Sequence, residues 1–219
     1  MDISGLYYVD IRDVEACADF LSERMPSRHF ERMQAYKKRE DRLRFLSGWF
    51  LLAHFLEKQG IPDEALQYGI HGKPNLPHGP CFNLSHSGNF VVFASDTHPI
   101  GIDVEMWRLQ DYEKLAGACF HPEEILQLKK AHDTRRAFFD LWVLKESYVK
   151  MLGCGVSRKF SSFCITVQEN RAFLKENSEA PPFFRLYSLF PEYSLALCSH
   201  RENWPETFRK LNPCDILFS

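Results

Sequence analysis

The spacing of apolar residues along this chain changes repeatedly between a helical period and a strand period. Apolar positions three and four residues apart predict helices at 14–24, 27–58, 112–118, from 121 onward, and at 134–152. Alternating or short continuous apolar runs predict strands at 6–11, 66–70, 81–84, 90–95, 101–105, 163–168, 172–175, 183–188 and 193–199. The turn residues 96–99 predict that the strands on either side of them pair as a hairpin.

Helices followed by strands occur twice along the chain, which predicts an α+β fold. We expect two similar α/β halves at 1–105 and 106–219, which meet near residues 106–111. The residues themselves show no internal repeat strong enough to prove a duplication.

Two acidic residues interrupt the apolar stretch PIGIDVE, which runs from position 99 to 105. Because successive strand residues point to opposite faces, Asp103 and Glu105 would share one face while Ile102 and Val104 take the other. Two like charges side by side in a core strand require a compensating positive charge.

A third acid lies in the predicted helix at 134–152, where Glu146 and Lys150 are four residues apart beside Trp142. The aromatic neighbour indicates that this helix face is covered, so that Glu146 is partly buried and needs a partner. That partner could be Lys145 or Lys150 in a structural ion pair. With Asp103 and Glu105, Glu146 would instead complete a set of hard oxygen ligands of the kind that Mg²⁺ prefers.

Candidate phosphate-binding groups precede the acidic strand. The stretch NLSHSG, from 83 to 88, offers backbone N–H groups, the Ser85 hydroxyl and the His86 imidazole, and HGKP, from 71 to 74, adds Lys73. Each motif alone is unspecific, and a histidine in such a turn is often just a turn residue. Together with Lys150 they provide more positive donors than a magnesium site needs, which indicates a ligand with several phosphates.

Composition narrows the class of protein. The chain has 219 residues, 45% of them hydrophobic, and a net charge of -2, which describes a globular protein rather than a nucleic-acid binder. Positive charge is nevertheless concentrated between Arg24 and Arg44. This segment is interpreted either as a solvated helix face or as a binding site for a phosphate or an acidic protein. Seven cysteines without CxxC spacing predict free thiols rather than disulfides or zinc. We expect a cytoplasmic monomer without a signal peptide or membrane span.

Taken in order, the stretches HGKP, FNLSHSG, PIGIDVE, FHPEE and LWVLKESYVKMLGCG resemble the motifs of the 4′-phosphopantetheinyl transferases, and more closely those of the Sfp-type branch. The most specific signal is WxxKExxxK, about forty residues after GIDxE. The resemblance spans nearly the whole chain. It implies a pseudo-dimer of two similar halves with the active site at their interface.

The resemblance also implies roles for individual residues. Asp103, Glu105 and Glu146 match the family's metal positions, with Mg²⁺ as the expected ion and Mn²⁺ as the alternative. Glu146, Lys150 and His86 are the expected catalytic residues, with Glu124 as an outside candidate for the base. The expected contacts to coenzyme A share positive or hydrogen-bonding side chains and comprise His29, Arg32, Arg44, Lys73, Ser85, His86, Lys145 and Lys150. His29 and Arg32 stand where the Sfp type often carries lysines for the 3′-phosphate.

The implied reaction moves the 4′-phosphopantetheine arm of coenzyme A, a co-substrate, onto a serine of an acyl or peptidyl carrier protein. Adenosine 3′,5′-bisphosphate would be the second product. Two other functions stay open on residue chemistry alone: a magnesium-dependent phosphohydrolase that needs no carrier protein, and a binding module without catalysis. The particular carrier protein and pathway, and the use of acylated coenzyme A, are not determined by the sequence.

Overall fold

The computed structural model describes residues 4–69, 73–154, 158–168, 171–176 and 180–216. Its helices are α1 Ile11–Glu15, α2 Ala18–Arg24, α3 Ser27–Gln34, α4 Arg39–Gln59, α5 Tyr112–Cys119, α6 Pro122–Lys130, α7 Thr134–Leu152 and α8 Pro213–Ile216. Its strands are β1 Gly5–Asp10, β2 Gln67–Tyr68, β3 Pro74–Asn75, β4 Cys81–Ser87, β5 Phe90–Asp96, β6 Ile100–Met106, β7 Ile165–Gln168, β8 Arg171–Leu174, β9 Phe183–Tyr187, β10 Tyr193–Ser199 and β11 Arg209–Lys210.

Two sheets pack face to face between two layers of helices. The first sheet has the strand order β11-β1-β5-β4, and the second has the order β6-β10-β9. Helix α4 covers the outer face of the first sheet, and α7 covers the outer face of the second. A third core lies between the sheets and includes Val92, Ile102, Val104 and Leu197. This arrangement is the α+β architecture that the sequence predicts.

The alternation of side chains in β6 follows the sequence prediction. Ile102 and Val104 point into the core between the sheets and are fully buried. Asp103 and Glu105 therefore point to the opposite face, toward α7. The same alternation separates Leu197 from Ala196 and Cys198 in the neighbouring strand β10, since the latter two pack in the core under α7.

Most predicted elements are present, and α7 has the bounds that the periodicity predicts. The predicted helix at 27–58 is wrong as a single unit: α3 and α4 are separate, with Lys38 in extended conformation before α4. The two helices differ in burial, since α3 buries two residues and α4 buries eight. The helix predicted at 14–24 is likewise divided into α1 and α2.

The predicted hairpin of β5 with the acidic strand is also wrong. Strand β5 pairs with β4 and β1, whereas β6 pairs with β10, which comes from the other end of the chain. The turn at 96–99 thus passes the chain from one sheet to the other. Strand pairing also crosses residue 105, where we expected the first half to end, because β6 belongs to the sheet of β9 and β10.

All seven cysteines lie within the described residues, and no disulfide joins any two of them there, as their spacing predicts. None of the helices in the described parts of the chain combines the length and the apolar character needed to cross a bilayer.

Gly101 allows α7 to lie directly on β6. A Cβ atom at this position would overlap the carbonyl oxygen of Ser147 and the backbone nitrogen of Met151, both in α7. Backbone atoms of a helix cannot move aside as the end of a long side chain can. The glycine in PIGIDVE therefore sets the distance between the helix and the acidic strand.

We predict that Gly101→Ala lowers the free energy of unfolding by at least about 1–3 kcal/mol, because overpacking forces the helix off the sheet. Denaturant-induced unfolding measures this change. Gly117→Ala is the matched control, since Gly117 lies in α5 and a Cβ there would meet nothing within 4 Å. The control should be neutral or stabilising by up to about 1 kcal/mol. Equal stability of both variants would contradict the close contact.

Candidate active site

Asp103 is the most deeply buried of the three candidate acids, with 3% of its surface exposed. Its Oδ1 atom accepts a hydrogen bond from the Ser85 hydroxyl at 2.7 Å and from the Lys150 ammonium at 2.6 Å. The Lys150 ammonium also lies 3.0 Å from Ser85 Oγ. The predicted residues Asp103, Ser85 and Lys150 therefore form one hydrogen-bonded group that joins β4, β6 and α7.

Glu146 lies one turn before Lys150 on α7 and is partly buried. Burial raises the pKa of its carboxyl group, the negative charge of Asp103 raises it further, and Lys150 opposes this rise. Glu105 adds a smaller effect in the same direction as Asp103. Burial likewise raises the pKa of Glu105, against the hydrogen bond from Ser87. The three acids are thus near enough to repel one another, as a shared cation site requires.

The acids do not form a closed cage as they stand. Among the described residues, no group of three His, Cys, Asp or Glu side chains is arranged to hold a metal ion. The donor chemistry nevertheless fits a hard divalent cation, because all three groups are carboxylates. In addition, Asp103 Oδ2 is buried and has no hydrogen-bond partner in the described part of the chain. Because buried polar atoms in proteins nearly always have a partner, this oxygen is a candidate ligand for a cation.

Lys73 reaches the same place from the segment before β4. Its ammonium donates to the backbone carbonyl of Lys150 at 2.8 Å, and burial together with the charge of Lys150 lowers its pKa. The first two residues of the HGKP motif, His71 and Gly72, lie outside the described residues. Lys73, Glu146 and Lys150 line a cavity of about 630 Å³ that continues to Phe160.

A second cavity, of about 290 Å³, brings together the other predicted cationic residues, namely His29, Arg32, Arg44 and His86. It shares Pro74 and Leu84 with the first cavity. A third cavity, of about 600 Å³, shares Arg44 and His86 with the second and reaches Glu105. The three cavities therefore form one cleft along β4, to which we refer below as the β4 cleft.

The side chains in the β4 cleft differ in how much charge they offer. His86 is exposed to the cleft, yet the surrounding protein and the positive charges of Lys150 and Arg44 lower its pKa. His29 is 5% exposed, burial lowers its pKa, and its Nε2 lies 3.4 Å from Asp63 Oδ1. An anion bound beside either ring would oppose this lowering of the pKa.

Part of the positive charge between Arg24 and Arg44 is already paired. Arg28 contacts Asp63, Arg39 contacts Glu15, and Arg44 contacts Asp41. Arg44 also donates to the carbonyl of Gly88 at 2.8 Å, which fixes it beside the β4–β5 turn. The segment is consequently less basic toward a partner than its sequence indicates.

Lys145 and Glu124 lie away from the cleft, contrary to the coenzyme contact expected for Lys145. Both side chains are completely buried, and the ammonium lies 2.6 and 2.8 Å from the two carboxylate oxygens. The Phe163 carbonyl accepts a third bond, while Glu124 also accepts from the N–H groups of Ile165 and His121. Lys145 follows the inward face of α7, so the pair joins α6, α7 and β7 in the core. Glu124 is fully engaged there and is not positioned as a base.

Sequence reasoning gave no role to Ser87, although its hydroxyl donates to Glu105 Oε2 at 2.7 Å. The signal was available in the alternation of Asn83, Ser85 and Ser87, which puts three polar side chains on one face of β4. Gly101 was also missed, because nothing in the sequence shows which helix passes over it.

We predict that Glu124→Gln lowers the free energy of unfolding by roughly 3–5 kcal/mol, the usual cost of leaving a buried charge unpaired. Denaturant-induced unfolding is the measurement. Lys175→Ala is the control, because it removes an ion pair with Glu123 whose two side chains are 57% and 49% exposed. That variant should unfold like the unmodified chain, since exposed pairs contribute little. A Glu124→Gln variant of unchanged stability would contradict the buried pair.

Comparison with known proteins identifies similar chains. Residues 99–198 match the family model described as the 4'-phosphopantetheinyl transferase superfamily. The 4'-phosphopantetheinyl transferase Sfp of Bacillus subtilis (strain 168) is 30% identical over 226 residues, which cover 99% of this chain and 100% of the relative. A 4'-phosphopantetheinyl transferase of Bacillus subtilis is 33% identical, over 77% of this chain and 79% of the relative.

A third relative, the 4'-phosphopantetheinyl transferase gsp of Aneurinibacillus migulanus, is 32% identical over 83% of this chain and 78% of its own length. Among solved structures, the Thermotoga maritima holo-[acyl-carrier-protein] synthase aligns with 48% of this chain and 64% of its own, at 20% identity and a TM-score of 0.41.

Proposed function

This chain belongs to the 4′-phosphopantetheinyl transferase superfamily and is an enzyme of that class, and on this premise we propose that it transfers the 4′-phosphopantetheine arm of coenzyme A to a serine of an acyl or peptidyl carrier protein. The serine oxygen forms a bond to the phosphorus that carries the pantetheine arm. The bond from that phosphorus to the bridging oxygen breaks, and adenosine 3′,5′-bisphosphate leaves with the electron pair. The serine proton passes to a base.

The observation that supports this proposal is the β4 cleft, which is lined by the cationic residues together with Glu105 and Glu146, while Asp103 lies buried beside it and bonds to Lys150. Its narrower part, beside His29 and Arg32, suits the nucleotide and its 3′-phosphate. Its wider part, beside Lys73 and Lys150, suits the pyrophosphate and the start of the pantetheine arm. Such a cleft can align a phosphoryl group for in-line attack, which is the main task in phosphoryl transfer.

Asp103, Glu105 and Glu146 would hold Mg²⁺, or Mn²⁺ in its place, with Asp103 Oδ2 as the oxygen that otherwise lacks a partner. The bound ion supplies neutralisation of charge at the pyrophosphate oxygens. Lys150 would contribute positive charge at the leaving phosphate, and His86 a hydrogen bond. All of these residues belong to one chain, so we expect a monomer to suffice.

We assign the base to Glu146, because it lines the same cavity as Lys73 and Lys150 and can reach a serine that enters there. The carrier protein would approach over the basic residues between Arg24 and Arg44, where opposite charge favours an acidic partner. Because several of these arginines are already paired, Lys37 and Lys38 are the residues that we expect to contribute most to docking.

The test is mass spectrometry of a panel of apo-carrier proteins after incubation with this protein, coenzyme A and Mg²⁺. Transfer adds the prosthetic arm to one or more carriers and releases adenosine 3′,5′-bisphosphate in equal amount. Release of a nucleotide product without any carrier would indicate a phosphohydrolase. Binding of coenzyme A in calorimetry without either product would indicate a binding module, and both results would overturn the proposal.

We predict that Glu146→Gln lowers kcat for transfer by roughly 10²–10⁴-fold, the usual contribution of a catalytic base. The substitution keeps the size of the side chain and removes both its charge and its basicity. Steady-state kinetics with a carrier that the unmodified protein modifies gives the measurement. Asp140→Asn is the control: this acid is also partly buried in α7, but its carboxylate is bonded to Ser194 away from the cleft. Near-normal turnover of Glu146→Gln would remove both of its assigned roles.

We predict that Lys73→Ala raises KM for coenzyme A about tenfold or more, with a smaller effect on kcat, because a charge-assisted hydrogen bond to phosphate contributes roughly 1.5–3 kcal/mol. The measurement is KM for coenzyme A at saturating carrier. Lys159→Ala, which removes another lysine that lines the same cavity, is the comparison. A Lys73→Ala variant with altered kcat alone would contradict a role in binding.

A further inference from the structure

Strand β6 is the edge of the second sheet, so one row of its backbone N–H groups has no strand partner there. Side chains of β4 satisfy this row. The N–H of Ile102 donates to Asn83 Oδ1 at 2.9 Å, that of Val104 to Ser85 Oγ at 3.4 Å, and that of Met106 to Ser87 Oγ at 3.1 Å. The offset is constant at every step. We call these contacts the polar seam, and they join the two sheets without a backbone ladder.

Two steps of the polar seam have a second contact. Ser85 donates to Asp103 and Ser87 donates to Glu105, both at 2.7 Å. A hydroxyl can accept from the edge N–H and donate to the neighbouring carboxylate from a single oxygen atom. Each serine thus fixes the backbone of β6 and the side chain of an acid at once.

The residue types along the polar seam distinguish two roles: accepting a hydrogen bond from the β6 backbone, and orienting an acidic side chain. At Ile102 the preceding residue is Gly101, there is no acid to orient, and the capping group is the amide of Asn83. At Val104 and Met106 an acid precedes, and the capping group is a hydroxyl. If satisfying the strand edge were the only task, an amide would serve at all three positions.

We infer that Ser87 is a positioning residue for the divalent cation, because its hydroxyl bonds to Oε2 of Glu105 and thereby restrains the orientation of that carboxylate. The inference rests on the proposed function, which assigns Glu105 to the cation. Ser87 is 4% exposed, and its hydroxyl is already engaged by the Met106 N–H group and the Glu105 carboxylate. Ser85 has the same geometry, but its expected contact with coenzyme A would confuse a test, so Ser87 is the residue to change.

The experiment compares Ser87→Thr with Ser87→Val, two side chains of nearly equal shape that differ in the hydroxyl. Mn²⁺ affinity is measured by electron paramagnetic resonance of the free ion, with and without coenzyme A. Removing a partner that orients a metal ligand costs roughly 10–100-fold in metal affinity, which is the loss expected for Ser87→Val relative to Ser87→Thr. Ser87→Ala removes the oxygen without adding bulk and gives a second comparison if the valine variant does not fold.

Ser47→Ala is the matched control, since Ser47 is a completely buried serine whose hydroxyl bonds to the Leu43 carbonyl within α4. It should leave Mn²⁺ affinity unchanged. If Ser87→Val and Ser87→Ala bind Mn²⁺ within about twofold of Ser87→Thr while the unmodified chain binds it, the positioning role is overturned and the proposed function stands. If the unmodified chain binds no Mn²⁺ in either condition, the assignment of the acids to a cation fails with it.

Discussion

The close contact between α7 and β6 at Gly101 is the constraint on which the site depends. Because the helix lies on the strand with no Cβ between them, Lys150 reaches Asp103 at 2.6 Å and Glu146 comes within electrostatic reach of both strand acids. A larger separation would leave Asp103 as a buried charge without its counterion, which is strongly unfavourable. The close packing of α7 on β6 is therefore also what allows Lys150 to neutralise the charge of Asp103.

The fold holds these acids together against their repulsion. Burial and mutual repulsion raise the pKa values of Glu105 and Glu146, which means that their charged forms are less stable in the folded chain than in water. Lys150 and the two serines of the polar seam offset part of this cost. The divalent cation that we propose would oppose the remaining repulsion between the carboxylates.

The periodicity of apolar residues predicts features that depend on neighbouring positions in the sequence. The bounds of α7 and the opposite faces of Asp103 and Ile102 follow from helical and strand periods, and both are confirmed. The pairing of β6 with β10 joins segments about ninety residues apart, and no period encodes such a partner. The sequence predicts a coenzyme A contact for Lys145 and a metal contact for Glu146, its neighbour in the chain. In a helix, adjacent residues point about 100° apart, and only the packing of α7 shows which of them faces the core.

Because Lys145 and Glu146 are neighbours in α7, the buried Lys145–Glu124 ion pair also affects the position of Glu146. A buried pair gains little over an apolar one, but it accepts only one geometry, and the Lys145 ammonium is fixed by both oxygens of Glu124 and by the Phe163 carbonyl. These three bonds fix the rotation of α7 about its own axis. Because Glu146 follows Lys145 directly and Lys150 lies one turn further, the rotation that inserts Lys145 into the core also directs Glu146 and Lys150 toward the β4 cleft. A leucine at 145 would lack these three bonds and hence the restraint that they place on the helix that carries Glu146.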